Sequence, residues 1–174
     1  MTVIETPRLR LRKTRWRDYA ALCKILRDAD VMYAWEGPYS HAQVADWIKR
    51  HRRNDRKYGF SLWAVVLKET GEMIGQCGIQ PLAYQGEQAL ELGYLFRKAF
   101  WHKGYATEAA MACRDYAFET LGAREVFAAI RDTNTASQNV ARRCGMAIRG
   151  EFVKRYRGVE MPHYAFSVKR DVWT

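Results

Sequence analysis

The sequence lacks a long hydrophobic run: nowhere do about 18 apolar residues stand together, and the opening MTVIETPRLRLR holds no unbroken apolar stretch. Neither a membrane span nor a secretory leader is expected, and the expected location is the cytoplasm. Cysteine is scarce too. Cys23, Cys77, Cys113 and Cys144 lie far apart among apolar neighbours and form no C-x-x-C pair, which points to buried thiols rather than a disulfide framework or zinc site; no metal is expected. No tract is dominated by Pro, Gly or Ser and no segment repeats, so linkers, disordered arms and solenoids drop out. Two phosphate-binding signatures are missing as well, the G-x-x-x-x-G-K-[ST] of a P-loop and the G-x-G-x-x-G of a dinucleotide fold. Acidic residues are in deficit, 19 against 29 Lys and Arg, and the formal charge of +10 favours an anionic partner such as nucleic acid, a ribosome or a phosphate-rich cofactor.

What is present reads as one globular domain over residues 1–174, long enough for a sizeable core. Arg8 to Arg12 alternates Arg with Leu9 and Leu11, the period of a half-buried strand entered at Pro7. Thr14 can cap a helix with Tyr19, Leu22, Cys23 and Leu26 at helical spacing, ending near Asp30. Ser40 and Gln43 form a capping box for a second helix that turns Val44, Trp47 and Ile48 inward and ends in the basic run KRHRRNDRK. From Phe60 the pattern becomes strand-like in FSLWAVVL, MIGQCGI and ALELGYLF, an antiparallel meander. A helix follows from Ala106 to Leu121 with Gly122 beyond it, then the buried strand EVFAAI, a brief helix from Ser137 to Cys144 stopped by Gly145, and two strands, Met146 to Val153 and His163 to Lys169, joined around Arg157 and Gly158. The order is β-α-α-β-β-β-α-β-α-β-β.

One stretch asks for chemistry. FWHKGYATEA sets a glycine and two basic residues directly before a helix, whose N-terminus carries unpaired N–H groups and roughly half a positive charge. Gly104 permits a positive φ or a close backbone approach, Ala106 is small, and His102 and Lys103 add donors, so the turn suits a pyrophosphate. A plain strand-to-helix turn with a solvated lysine accounts for the same residues.

These residues resemble the acyl-CoA loop Q/R-x-x-G-x-G/A of the GNAT acetyltransferase superfamily, with Trp101 where Gln or Arg is usual and His102 where a small residue is. The G-Y-A-T-E-A run is similar to the branch of Rim-type ribosomal-protein N-terminal acetyltransferases. TPRLRLR, ELGYLF and an N-x-x-S-x-x-V motif at Asn134, Ser137 and Val140 follow that branch in order. The resemblance implies a mixed, strongly twisted α/β sheet that splays after its fourth strand into a V-shaped cofactor cleft. It implies acetyl-CoA as acyl donor, held by backbone groups of Leu95, Phe96 and Arg97, by the loop His102, Lys103, Gly104, Tyr105, Ala106 and Thr107, and by Asn134, with Ser137 near the thioester sulfur.

The implied activity is acetyl transfer to a primary amine, a protein N-terminus or a small cationic amine, by direct attack. Glu91 is the candidate general base, with a surface carboxylate paired to an arginine as the alternative; Ser137 or Tyr156 is the candidate acid, and a backbone N–H near Leu95 the oxyanion donor. The acceptor pocket is expected between VMYAWEGPY and the hairpin at Tyr156, where Tyr33, Trp35 and Tyr39 could clamp a cation and Glu36 pair with it; Trp35 reads equally as a loop anchor. The run from Lys49 to Lys57 is either a solvated helix end or a dock for ribosomal RNA or an acidic protein. Acetylation of a drug or polyamine, and a non-catalytic RNA-binding module on the same fold, are the alternative functions. Pairing into a homodimer is a further question for sedimentation.

Overall fold

The computed structural model describes residues 2–173. Leu9 and Leu11 are fully buried while Arg10 faces out, and this alternation makes strand β2 (Leu9–Arg12). An unforeseen strand, β1 (Thr2–Glu5), pairs antiparallel with it, with Pro7 in the connecting turn. Thr14 is not a cap. It is buried, its hydroxyl donating to the Leu62 carbonyl and accepting from Gln76 Nε2, while Asp18 takes the Arg15 N–H and a two-pronged bond from Arg12 at 2.7 and 2.8 Å. That turn leads into α1 (Tyr19–Leu26), followed by the short α2 (Ala29–Met32). The capping box of α3 (His41–Tyr58) forms as expected: Ser40 Oγ accepts from the Gln43 N–H, and Gln43 Oε1 from the Ser40 N–H.

The meander comprises β3 (Leu62–Leu67), β4 (Met73–Tyr84) and β5 (Glu87–Phe96). β3 is buried along its whole length because both faces are covered. Trp63, Val65 and Leu67 join a core with α4 (Tyr105–Glu119), and Leu62 and Ala64 join a second with α1 and α3. Then come β6 (Glu125–Arg131), α5 (Thr135–Arg143), β7 (Ala147–Tyr156), β8 (Val159–Lys169) and α6 (Arg170–Trp173). The last two strands run longer than their sequence pattern indicates, because they meet in a two-residue turn where Arg157 and Gly158 both take positive φ (51° and 76°).

The result is an open sheet of order β1-β2-β3-β4-β5-β6-β8-β7. Every neighbouring pair is antiparallel except β5 and β6, which are parallel and share a single ladder position, Glu91 with Phe127. Beyond that position the two halves splay apart. Cys77, Cys113 and Cys144 are buried free thiols, and burial pushes the Cys144 thiol up to about 12, which keeps it protonated and inert. Among the described residues no helix is long and apolar enough to cross a membrane, and no cluster of His, Cys, Asp and Glu could hold a metal ion.

Candidate active site

The splay leaves one edge of β5 open. Arg97 N–H donates to the Ile74 carbonyl, and the β4–β5 register is continuous from Phe96 back to Glu87. Alternation along an antiparallel ladder then turns the backbone groups of Leu95 and Arg97 toward β4, and those of Tyr94 and Phe96 toward the split. Three consecutive residues cannot all face a guest strand, so of Leu95, Phe96 and Arg97 only Phe96 does. Tyr94, which sequence reading did not single out, also turns its backbone groups to the open side, and the Phe96 carbonyl is itself taken by Trp101 Nε1 at 2.9 Å.

Trp101, the departure from the family loop, thus ties that loop to the end of β5. His102 (φ 60°) and Gly104 (φ 78°) follow in the left-handed region, and Gly104 opens α4 without a side-chain cap. The first intrahelical bond runs from Glu108 N–H to the Gly104 carbonyl, leaving the N–H groups of Tyr105, Ala106 and Thr107 without helical partners. That uncapped turn fits an anion such as a pyrophosphate.

Its shape is held from the first strands. Thr6 Oγ1 and the Arg8 N–H donate to Glu108 Oε1, Arg8 Nε to Glu108 Oε2 at 2.6 Å, and Arg8 Nη1 to the Lys103 carbonyl, with the guanidinium stacked over Tyr105. Burial opposes the charge on Glu108, yet the hydrogen bonds from Thr6 and Arg8 hold its carboxyl below the ordinary range. The Thr and first Arg of TPRLRLR therefore act on a loop about 100 residues away, a role that a strand pattern cannot express.

Asn134 is the N-cap of α5, which begins at Thr135 rather than Ser137. Its Oδ1 accepts from the Ser137 N–H at 3.1 Å and from the Tyr33 hydroxyl at 2.9 Å; its Nδ2 donates to nothing among the described residues. Tyr94 fixes the same turn by donating to the Ser137 carbonyl at 2.6 Å, and burial pushes its phenol well above the ordinary range, so it stays a donor.

A cavity of about 430 Å³ opens where the split begins, walled by Glu91, Tyr94, Asn134, Ser137, Tyr156 and His163 among others. Glu91 is buried, with Oε2 accepting from Gln80 Nε2 at 2.9 Å and Oε1 3.8 Å from Lys154 Nζ. His163, not singled out by any motif, has its Nδ1 2.8 Å from the Met161 carbonyl, which must accept; the Nε2 lone pair is thereby left available. Burial, with Lys154 and Arg131 nearby, lowers its pKa and keeps the ring neutral at pH 7.

The predicted acceptor clamp is partly elsewhere. Trp35 and Tyr39 line the cavity, but Tyr33 is spent on Asn134, and the Glu36 carboxylate is neutralised by Arg131 Nη1 at 2.5 Å. The run from Lys49 to Lys57 forms the C-terminal half of α3, where Lys49 pairs with Asp46 and Asp55 with Lys13.

Residues 8–147 match the family described as Acetyltransferase (GNAT) domain. The uncharacterised protein YkkB of Bacillus subtilis is 41% identical over 146 residues, 83% of this chain and 85% of its own. A GNAT-family acetyltransferase from Bacillus anthracis superposes with a TM-score of 0.82 at 26% identity, covering 98% of this chain and 99% of that one. RimL, a ribosomal-protein α-N-acetyltransferase solved with coenzyme A, shares the fold at 16% identity, TM-score 0.79, over 99% of both chains.

Proposed function

The chain belongs to the GNAT acetyltransferase family, and from that premise we propose that it acetylates a primary amine from acetyl-CoA, with the α-amine of a protein N-terminus as acceptor. The observation that carries the reading is the convergence at Glu91: the β5–β6 ladder ends there, the cavity begins there, and a buried carboxylate stands at the junction. Acetyl-CoA supplies an acetyl thioester. The Tyr105, Ala106 and Thr107 N–H groups hold its pyrophosphate, and Asn134 Nδ2 and the open backbone groups of β5 hold its pantetheine arm.

Transfer requires that the amine lose a proton and the thiolate gain one, while the developing oxyanion finds a donor. Glu91 accepts the amine proton through a water, the Tyr94 N–H serves the oxyanion, and the Tyr156 phenol or Ser137 hydroxyl protonates the thiolate. A thiol pKa of about 8.5 makes that last proton the least demanding. An α-amine, with pKa near 7.7 to 8.0, suits a water-mediated base better than a lysine amine near 10.4. RimL is an α-N-acetyltransferase of ribosomal L7/L12, and the shared fold supports a protein acceptor here.

Calorimetry with acetyl-CoA, followed by CoA release with N-terminal peptides against peptides whose only amine is a lysine side chain, tests the reading. Micromolar binding and faster release with free N-termini are expected. No binding overturns the transferase mechanism, and preference for lysine overturns the acceptor.

A further inference from the structure

Beside the cavity a groove runs along α3, sharing Tyr39, Trp47, Arg50 and Tyr156 with it and adding Gln43, Asp46, Lys49 and Arg53. Cations crowd this junction. The Arg50 guanidinium stacks on Trp47 at 4.5 Å, and that of Arg157 lies over Tyr156 at 5.3 Å and Tyr39 at 5.7 Å. Arg157 also donates to the Glu36 carbonyl and to Gln43 Oε1, which fixes the β7–β8 turn against the start of α3.

The neighbouring cations are matched: Lys49 faces Asp46, Arg131 faces Glu36, Lys154 faces Glu91 and Arg155 faces Glu160. Arg50, Arg53 and Arg157 make no ion pair among the described residues, and the carboxylate that lines the groove, Asp46, is paired with Lys49. Burial and the charge of Arg53 push the pKa of Arg50 down, so the cluster tolerates like charges that an incoming anion would relieve. Two guanidiniums held against aromatic rings, Arg50 and Arg157, with Arg53 lining the same groove at the rim of a transfer cavity, are a fork for a planar anion.

We propose that Arg50, Arg53 and Arg157 form a subsite for a carboxylate carried by the acceptor, so that the enzyme selects amines with an acidic group close by. This rests on the acetyl-transfer reading above. Side chains of Asp or Glu just behind an N-terminus, or the carboxylate of a small amino acid, present the same chemistry; a polyamine presents the opposite.

The test measures CoA release with two peptides identical but for Glu-Asp or Gln-Asn after the N-terminal Ser, and with free amino acids against their methyl esters. Binding of the two peptides to the free enzyme is measured alongside by calorimetry. The acidic peptide is expected to win by about tenfold or more in kcat/KM, mainly through KM, and to lose that advantage as salt rises. In Arg50→Gln and Arg53→Gln the acidic-to-neutral ratio falls about tenfold, and Arg53→Glu inverts it. A gain confined to peptides identifies a protein N-terminus, and a gain of free acids over esters identifies a small acceptor; either supports the subsite. Equal use and equal binding of both peptides, or Arg variants that leave the ratio unmoved, overturn it. Because peptide binding is read without acetyl-CoA, failure of transfer alone sinks the function and not the subsite.

Discussion

Replacing Asn134 by Asp or by Ala separates two jobs that one amide performs. Oδ1 caps α5 through the Ser137 N–H and accepts from Tyr33, while Nδ2 has no partner among the described residues and is the proposed donor to the cofactor. Asp keeps both acceptor bonds, ranks with Asn as an N-cap and adds a favourable charge at the helix start, so unfolding free energy should change by less than about 0.5 kcal/mol. Ala removes the cap, worth about 1 kcal/mol, and strands the partly buried Tyr33 hydroxyl, for a total near 2 kcal/mol. At about 2 to 4 °C per kcal/mol for a chain of this size, the Ala protein melts roughly 4 to 8 °C lower. In both variants the donor to acetyl-CoA is lost, and in Asp a carboxylate faces the acceptor atoms of the ligand. Calorimetry should find acetyl-CoA bound about 30-fold more weakly by Asn134→Asp, the equivalent of about 2 kcal/mol, with its melting point unchanged. Retained affinity in a stable Asn134→Asp protein would refute the assignment of Nδ2 to the cofactor.

Gly104→Val should weaken acetyl-CoA binding at least tenfold, since a β-branched residue resists φ near 78° and its Cβ would sit 3.3 Å from Arg8 Nη2; unchanged affinity in a folded variant removes the loop from the site. Glu91→Gln should lower kcat, with the deficit shrinking at high pH where the amine is already neutral, whereas a pH-independent deficit there, with the shrinking deficit found in His163→Gln instead, would transfer the base role to the imidazole. Burial lowers the pKa of His51 to about 3, so between that value and about 6.5 the unfolded chain binds the extra proton and stability falls as pH drops. Denaturant melts should show His51 contributing a loss of about 2 kcal/mol between pH 8 and 5, a loss that His51→Gln removes.

Features set by neighbours in sequence were legible. Ser40 and Gln43 announce a helix start because both partners of the capping box lie within one turn, and Leu9 and Leu11 declare an inward face because a strand alternates by itself. Thr14 looked like a cap for the same local reason, but its hydroxyl is committed to Leu62 and Gln76 across the fold. The open edge of β5 was less legible, because which backbone groups of Leu95, Phe96 and Arg97 face outward depends on how β5 registers against β4. Residue identity carries none of that.

Distance also explains why the partners of the loop at the mouth of the site were not legible in the sequence. The loop bearing Tyr33 and Glu36 was expected to bind the acceptor; instead it straps the two halves of the split sheet together. Tyr33 reaches Asn134, the Tyr33 carbonyl and the Glu36 carboxylate both meet Arg131, and the Glu36 carbonyl meets Arg157. Only one ladder position joins β5 to β6, so at the open side these ties add to the core that the two halves share through α4. Polar straps leave the wall lined by Glu91, Tyr156 and His163 open, where apolar packing would fill it. The basic excess then acquires a local meaning: Arg131 is consumed in holding the cleft, whereas Arg50 and Arg53 line the neighbouring groove, where the proposed subsite would use their charge.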